Sequence, residues 1–186
     1  KYDYNVEDPP YYFTYRTANP SDYVPHPFKP ETHETDPHGE VIERFAWTIN
    51  NATDAAFRGA IAEFLDLTDF VKHVASEVFV ADNDGFLGNW GMNNFYTYRF
   101  PGTSTFTILP WDKSDAFAAG PYASVWHNIR DVPPERQNRL MARSLRYADL
   151  YAWWLAALQD IVRITTEADP AQPDAGGWLA REIEFE

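Results

Sequence analysis

The chain contains no cysteine in its 186 residues. That excludes a disulfide framework, a thiol nucleophile and a cysteine-ligated zinc site, and it is compatible with export as well as with the cytosol. Basic residues are scarce: 15 lysines and arginines stand against 28 aspartates and glutamates, a formal charge of −13. That balance argues against nucleic acid or an anionic membrane as a partner, since both need a basic face, whereas a basic protein would be drawn to it. A metal-bound nucleotide stays open as a ligand, because the metal cancels much of the phosphate charge locally. Long apolar runs are also lacking. The stretches near Val71 and Trp153 are too short and too interrupted to cross a bilayer, and no signal peptide is visible. Internal repeats and low-complexity tracts are absent.

What the sequence does have is aromatic and apolar mass, 17% and 45% of residues, enough for one domain with a real core. Three regions follow. Residues 1–38 are rich in tyrosine and proline, with prolines at 9, 10, 20, 25, 27, 30 and 37 that forbid a long helix; they read as extended pieces packed on a folded body. Residues 39–166 carry helical periodicity broken by one irregular stretch. Residues 167–186 read as a linker with Pro170, Pro173 and Gly176-Gly177, then an acidic tail from Trp178.

Within the middle region Val41, Ile42, Phe45, Ala46 and Ile49 repeat at helical spacing from Gly39 to Asn50. Thr53 caps a second helix over Asp54–Leu65, and Thr68-Asp69-Phe70 offers the cap of a third that runs to about Val80. The rows Phe70-Val74-Val78 and Val71-Ala75-Phe79 make that third helix largely buried, so it delivers whatever follows it from a rigid base. His73 on it reads as a solvated or hydrogen-bonded structural residue. Pro133-Pro134 opens a helix continuing to Leu145, with Arg136, Arg139, Arg143 and Arg146 as an outward, solvated face. A last helix spans about Ala148 to Thr165, with a stripe of Leu150, Tyr151, Trp154, Leu155, Leu158, Ile161 and Val162.

The residues able to do chemistry concentrate in Val80–Phe117. Asp82 and Asp84 sit in a loop rich in glycine and asparagine, followed by Asn93 and Asn94; so much carboxylate and amide in an irregular loop is a place to hold a cation. The alternating runs Phe95–Arg99 and Thr105–Leu109, joined by Pro101-Gly102-Thr103-Ser104, predict a β-hairpin. The hairpin folds Asp112 and Asp115 of Pro110-Trp111-Asp112-Lys113-Ser114-Asp115 back beside the first loop.

Loop aspartate, asparagine, hairpin, aspartate is the order protein kinases use for a catalytic loop and a metal-binding aspartate, although the strings H-R-D and D-F-G are absent. Asn83-Asp84-Gly85, Asn93 to Tyr98 (NNFYTY) and Ile108 to Phe117 (ILPWDKSDAF) resemble the motifs of the spore-coat protein H (CotH) kinase family, secreted or surface-displayed atypical kinases. The resemblance covers roughly residues 1–165. It implies an α+β, mainly helical kinase-like C-lobe whose short hairpin carries the metal-site loops. It also implies an ATP-dependent enzyme transferring phosphate to serine or threonine of a secreted, cell-surface or spore-coat protein rich in those residues and in basic ones.

Carried over by position, the resemblance makes Asp84 the catalytic carboxylate, Asn94 its metal-binding amide partner and Asp112 the aspartate on the nucleotide's metal. Asp82 and Asn93 are supporting or alternative ligands. Asn94 follows Asp84 by ten residues where kinases use five, so Phe86–Gly91 reads as an inserted loop tip. Asp115 stands three residues after Asp112 where the family tends to place its second aspartate at two. Hard oxygen donors favour Mg2+, Mn2+ or Ca2+ over zinc. Of the lysines, Lys1, Lys29, Lys72 and Lys113, none lies in the strand context of a phosphate-gripping lysine, which implies a nucleotide-gripping lobe upstream of this segment. Ser124–Arg130 is a candidate substrate edge or a plain connector. Two other readings stay open: an inactive coat protein or adhesin that keeps the fold, and a calcium module clamped by Asp82, Asp84 and Asn89.

Overall fold

The structure, a computed structural model, describes residues 1–4, 12–89, 91–120, 122–168, 170–171 and 176–177. The acidic tail expected from Trp178 lies outside the described residues. Among those described the fold is α+β, with five α-helices and one four-stranded antiparallel sheet.

The sheet brings the two ends of the sequence argument together. Its strands are β1 (Tyr2–Tyr4), β2 (Phe28–Pro30), β3 (Phe95–Arg99) and β4 (Phe106–Pro110), in the order β2-β1-β3-β4. The expected hairpin is β3–β4, with Phe95 opposite Pro110 and Arg99 opposite Phe106. Pro110 closes an edge strand, where a missing N–H costs no ladder bond. The opening segment supplies strands of the same sheet, since β1 pairs with β3 on one side and β2 on the other. Alternation puts Tyr2, Tyr4, Phe95, Thr97 and Phe106 on the buried face. Tyr4 stacks on Phe95 at 5.4 Å, and Phe95 meets the Phe86 ring edge-on at 5.0 Å. Phe86 belongs to the loop after the third helix, so the aromatic core is what fixes that loop against the sheet.

The helices are α1 (Gly39–Asn51), α2 (Asp54–Ile61), α3 (Leu67–Phe79), α4 (Arg139–Ser144) and α5 (Ala148–Thr166). Thr53 caps α2 as its sequence signals, accepting from the Ala56 N–H. Four expectations need correction. Helix α2 ends at Ile61, not Leu65: the chain turns there, Phe64 packs on Phe45, and the Phe64 carbonyl accepts from the Phe106 N–H at 2.6 Å. The cap of α3 is Asp66, whose carboxylate accepts from the N–H groups of Thr68 and Asp69 at 2.7 and 3.2 Å. Pro133-Pro134 leads only into a short 3-10 turn, Pro134–Arg136, and α4 starts afresh under an Asn138 cap. Arg143 is not outward: its guanidinium, 13% exposed, bonds the Ile49 and Ala52 carbonyls at the end of α1 and Asp54 at the start of α2.

Helix α3 packs chiefly on α5. The buried stripe of α5 is narrower than its apolar sequence suggests: Leu150 and Trp154 are fully buried, while Leu155 and Val162 are 36% and 49% exposed. None of the helices among the described residues is long and apolar enough to cross a membrane.

Candidate functional site

The loop that leaves α3 is held from beneath by three charged side chains. Glu77 lies on the buried face of α3, and Lys113, just past β4, reaches it at 2.9 Å and Asp82 at 3.0 Å. Asp82, almost wholly enclosed, uses its other oxygen to accept from the Asp84 N–H at 3.0 Å. Glu77 also accepts from the Phe86 N–H at 3.3 Å. Burial pushes the Glu77 carboxyl above its ordinary range, with the Lys113 charge pulling it part of the way back. One lysine thus ties helix, loop and the segment after β4 together. Gly85 sits where a Cβ would stand 2.5 Å from Glu77 and 2.8 Å from Asp82, so any side chain there would have to push those two carboxylates aside.

Asp84 is oriented by the two amides that follow it in sequence. The Asn93 side chain donates to one carboxylate oxygen at 2.8 Å and the Asn94 side chain to the other at 2.9 Å. Each oxygen keeps acceptor capacity beyond the amide it takes. The Asn94 backbone carbonyl accepts from the Trp111 N–H at 3.0 Å, which sets Asp112 one residue from Asn94 across the mouth of the hairpin. Both are in the left-handed region, at φ 51° and 42°, a conformation non-glycine residues adopt at a cost and keep where the surroundings enforce it. The Asp112 carboxylate is exposed and has no partner among the described residues. Asp115 accepts from the Asn83 N–H through its backbone carbonyl, at 3.4 Å. Further along, the Phe117 N–H bonds Val80 O and the Ala119 N–H bonds Ala81 O, at 2.5 and 3.2 Å. The segment after β4 therefore runs alongside the loop after α3, which brings together the stretches carrying Asp82, Asp84, Asn93, Asn94, Asp112 and Asp115.

Whether these residues suit a divalent ion is a question of donor chemistry. The Asp112 carboxylate and the Asn94 side-chain carbonyl are hard oxygen donors that accept no protein hydrogen bond among the described residues, beside an amide-oriented Asp84, and donors of this kind are the ones Mg2+ or Mn2+ would take. Among the described residues no group of three or more histidine, aspartate or glutamate side chains is placed to hold an ion. The calcium clamp of Asp82, Asp84 and Asn89 is weakened at Asp82, whose two carboxylate oxygens are taken up by Lys113 and by the Asp84 N–H.

Several residues have parts here that the sequence did not assign. Asn128, buried and at φ 53°, donates to the Leu87 and Gly88 carbonyls at 3.0 and 3.1 Å and so props the loop from behind. His127 and Ser124 join Glu77, Asp82, Asn83 and Asn89 around a cavity of about 160 Å³, which sets the candidate substrate edge against the loop. His73 is not solvated at its ring nitrogen: Nε2 is shut from solvent without a partner among the described residues, and burial, then the Lys113 charge, lowers its pKa to about 4. None of the four lysines is left over. Lys1 lies over the Tyr96 ring, Lys29 pairs with Glu31, Lys72 lies over Trp153, and Lys113 holds the network.

The family model of the CotH kinase protein matches residues 1–157, most of the chain and all of this site. The chain belongs to the CotH family. A curated relative, the inner spore coat protein H of Bacillus subtilis (strain 168), is 27% identical over 95 residues, covering 51% of this chain and 22% of that protein. The chain thus matches only about a fifth of the relative's length. Within the matched residues lie Asn83-Asp84-Gly85, Asn93-Asn94 and Trp111-Asp112, whose backbones the hairpin and the Lys113 network draw together.

Proposed function

We propose that this CotH chain is the C-lobe portion of an atypical protein kinase that transfers the γ-phosphoryl group of ATP to a serine or threonine hydroxyl. The observation that carries the reading is the Asp84 carboxylate, held by Asn93 and Asn94 at 2.8 and 2.9 Å while the Trp111 N–H ties Asn94 to the Asp112 segment. Phosphoryl transfer asks a protein mainly to position groups and neutralise charge, and this donor set meets that need.

In this reading Asp84 orients the acceptor hydroxyl and takes its proton as the new O–P bond forms. The bond between the γ-phosphorus and its bridging oxygen breaks, and ADP leaves with that electron pair. Asn93 and Asn94 keep Asp84 aimed; Asp112 and the Asn94 carbonyl hold the metal. Bound Mg2+ or Mn2+ supplies charge neutralisation on the phosphates. Lys113, Glu77 and Asp82 fix the loop, with Asp115 beside it, and the upstream nucleotide-gripping lobe is part of the same proposal. The acidic surface suits a basic, serine- and threonine-rich protein substrate. The relative's name places that protein in the inner spore coat, and a coat, secreted or cell-surface location is proposed for this chain. The same name supports the second reading, a coat structural protein without activity.

The test is incubation with γ-labelled ATP, Mg2+ or Mn2+ and a basic serine-rich protein, with Asp84→Asn and Asp112→Asn alongside. The proposal expects transfer that both substitutions abolish. Label transfer untouched by either substitution contradicts it, and ion binding without nucleotide binding favours the structural reading.

A further inference from the structure

Away from this site the molecule gathers positive charge in one place. A cleft of about 630 Å³ between the α1–α2 turn and α4 is lined by Arg139, Arg143 and Arg146, against the carboxylates of Asp54 and Glu135. On a chain of net charge −13, a cleft with more cations than anions runs against the general field.

The three guanidinium groups are positioned in advance. Asn50, whose own amide donates to the Phe13 and Ala46 carbonyls at 2.7 Å, accepts from Arg139 at 2.9 Å. Arg143 is seated on the last carbonyls of α1 and lies over the Phe57 ring at 4.2 Å. Asp54 accepts from Arg143 and Arg146, both at 3.1 Å. A guanidinium carries five N–H donors, and Arg139 and Arg146, both exposed, each give one to the protein among the described residues. Most of their donors therefore face the cleft or water. The cleft is far roomier than one carboxylate requires, and Asp54 already shows that its arginines take an anion in pairs. A phosphate monoester, with about two charges and three acceptor oxygens, would engage more of these donors than a carboxylate can.

We propose that this cleft docks a phosphorylated serine or threonine of a peptide chain, with Asp54 as the internal anion that the phosphate displaces. Taking the occupant to be a product of the chain's own reaction rests on the kinase reading above; a residue phosphorylated first would then hold its chain in place for the next transfer. The docking itself is read without nucleotide, so failure of transfer and failure of docking are separable.

The experiment is calorimetric titration of the chain, without ATP, with a synthetic peptide bearing one phosphoserine, with its unphosphorylated twin, and with inorganic phosphate. The phosphopeptide is expected to bind at least about tenfold more tightly than either control. Arg139→Gln and Arg146→Gln, surface changes checked by unfolding curves, should each weaken it about tenfold, while Asp54→Asn should tighten it by removing the competitor. Equal affinity for the two peptides overturns the proposal, as does unchanged binding in both arginine variants. Inorganic phosphate binding as tightly as the phosphopeptide also overturns it, reducing the cleft to a simple anion site.

Discussion

The ammonium of Lys113 stands 3.0 Å from the carboxylate of Asp82, and through it the segment that carries Asp112 is pinned to the loop that carries Asp84. Two enclosed carboxylates, Glu77 and Asp82, share that single cation. Replacing Lys113 with Met leaves both without a counter-charge. The expected loss is roughly 2–4 kcal/mol in denaturant unfolding, less than for a fully buried pair because Lys113 is 28% exposed. Adding Glu77→Gln to Lys113→Met should recover part of it, since one uncompensated charge is removed; a double variant no more stable than the single would show that packing, and not charge, is what Lys113 supplies.

Gly85 and Gly88 close the loop at two different tolerances. A Cβ on Gly88 would run into the Asn83 carbonyl, which is backbone, whereas one on Gly85 meets the side-chain ends of Glu77 and Asp82. Gly88→Ala should therefore cost about 2 kcal/mol or more and Gly85→Ala less. Thermal or urea unfolding of the two variants checks the order, and a reversed order would contradict this account of the turn.

Asn128 satisfies two carbonyls of the same loop, at Leu87 and Gly88. Asn128→Gly keeps the left-handed backbone but removes both bonds, with an expected loss of about 1–3 kcal/mol. Hydrogen exchange should speed up first at the loop amides of Asn89, Gly91 and Asn93, which bond Asn83, Gly88 and Gly85. Uniform acceleration across the molecule would instead mean that Asn128 acts on global stability alone.

How much of this could be read from the sequence depends on how local the cause is. The stripe of α1, the Thr53 cap and the alternation of β3 and β4 are set by neighbouring residues, and they read directly. The end of α2 did not: just beyond it the Phe64 carbonyl pairs with Phe106, 42 residues on, a contact nothing local names. Glu77 did carry a signal, a carboxylate between Val74 and Val78 on a core-facing stripe, which asks for a buried partner. Its partner, Lys113, is 36 residues on and nothing local names it. Asn128 is the same case, since only the fold shows that a polar residue in a connector meets the loop at Leu87.

His73 gives the protein an acid-sensitive term. Unfolded, its ring titrates near 6.5; folded, burial and the Lys113 charge lower the value to about 4. Between those values the unfolded chain binds more protons, so His73 supports stability fully above about pH 6.5 and loses that support as pH falls toward 4. The contribution is on the order of 3 kcal/mol. His73→Gln should flatten the difference in urea midpoint between pH 7 and pH 4.5, and a variant as acid-sensitive as the parent would place the titration elsewhere.

The central claim is that Asp84, Asn94 and Asp112 serve one divalent ion and its nucleotide. Titrating the isotope-labelled chain with Mn2+ and following amide signals by NMR tests this most directly, because the paramagnetic ion broadens what lies near it. The account predicts that signals around residues 84, 94 and 112 broaden first and together, and that Asp112→Asn abolishes the effect while the chain stays folded. Broadening centred elsewhere on the acidic surface, or unchanged by Asp112→Asn, would contradict it.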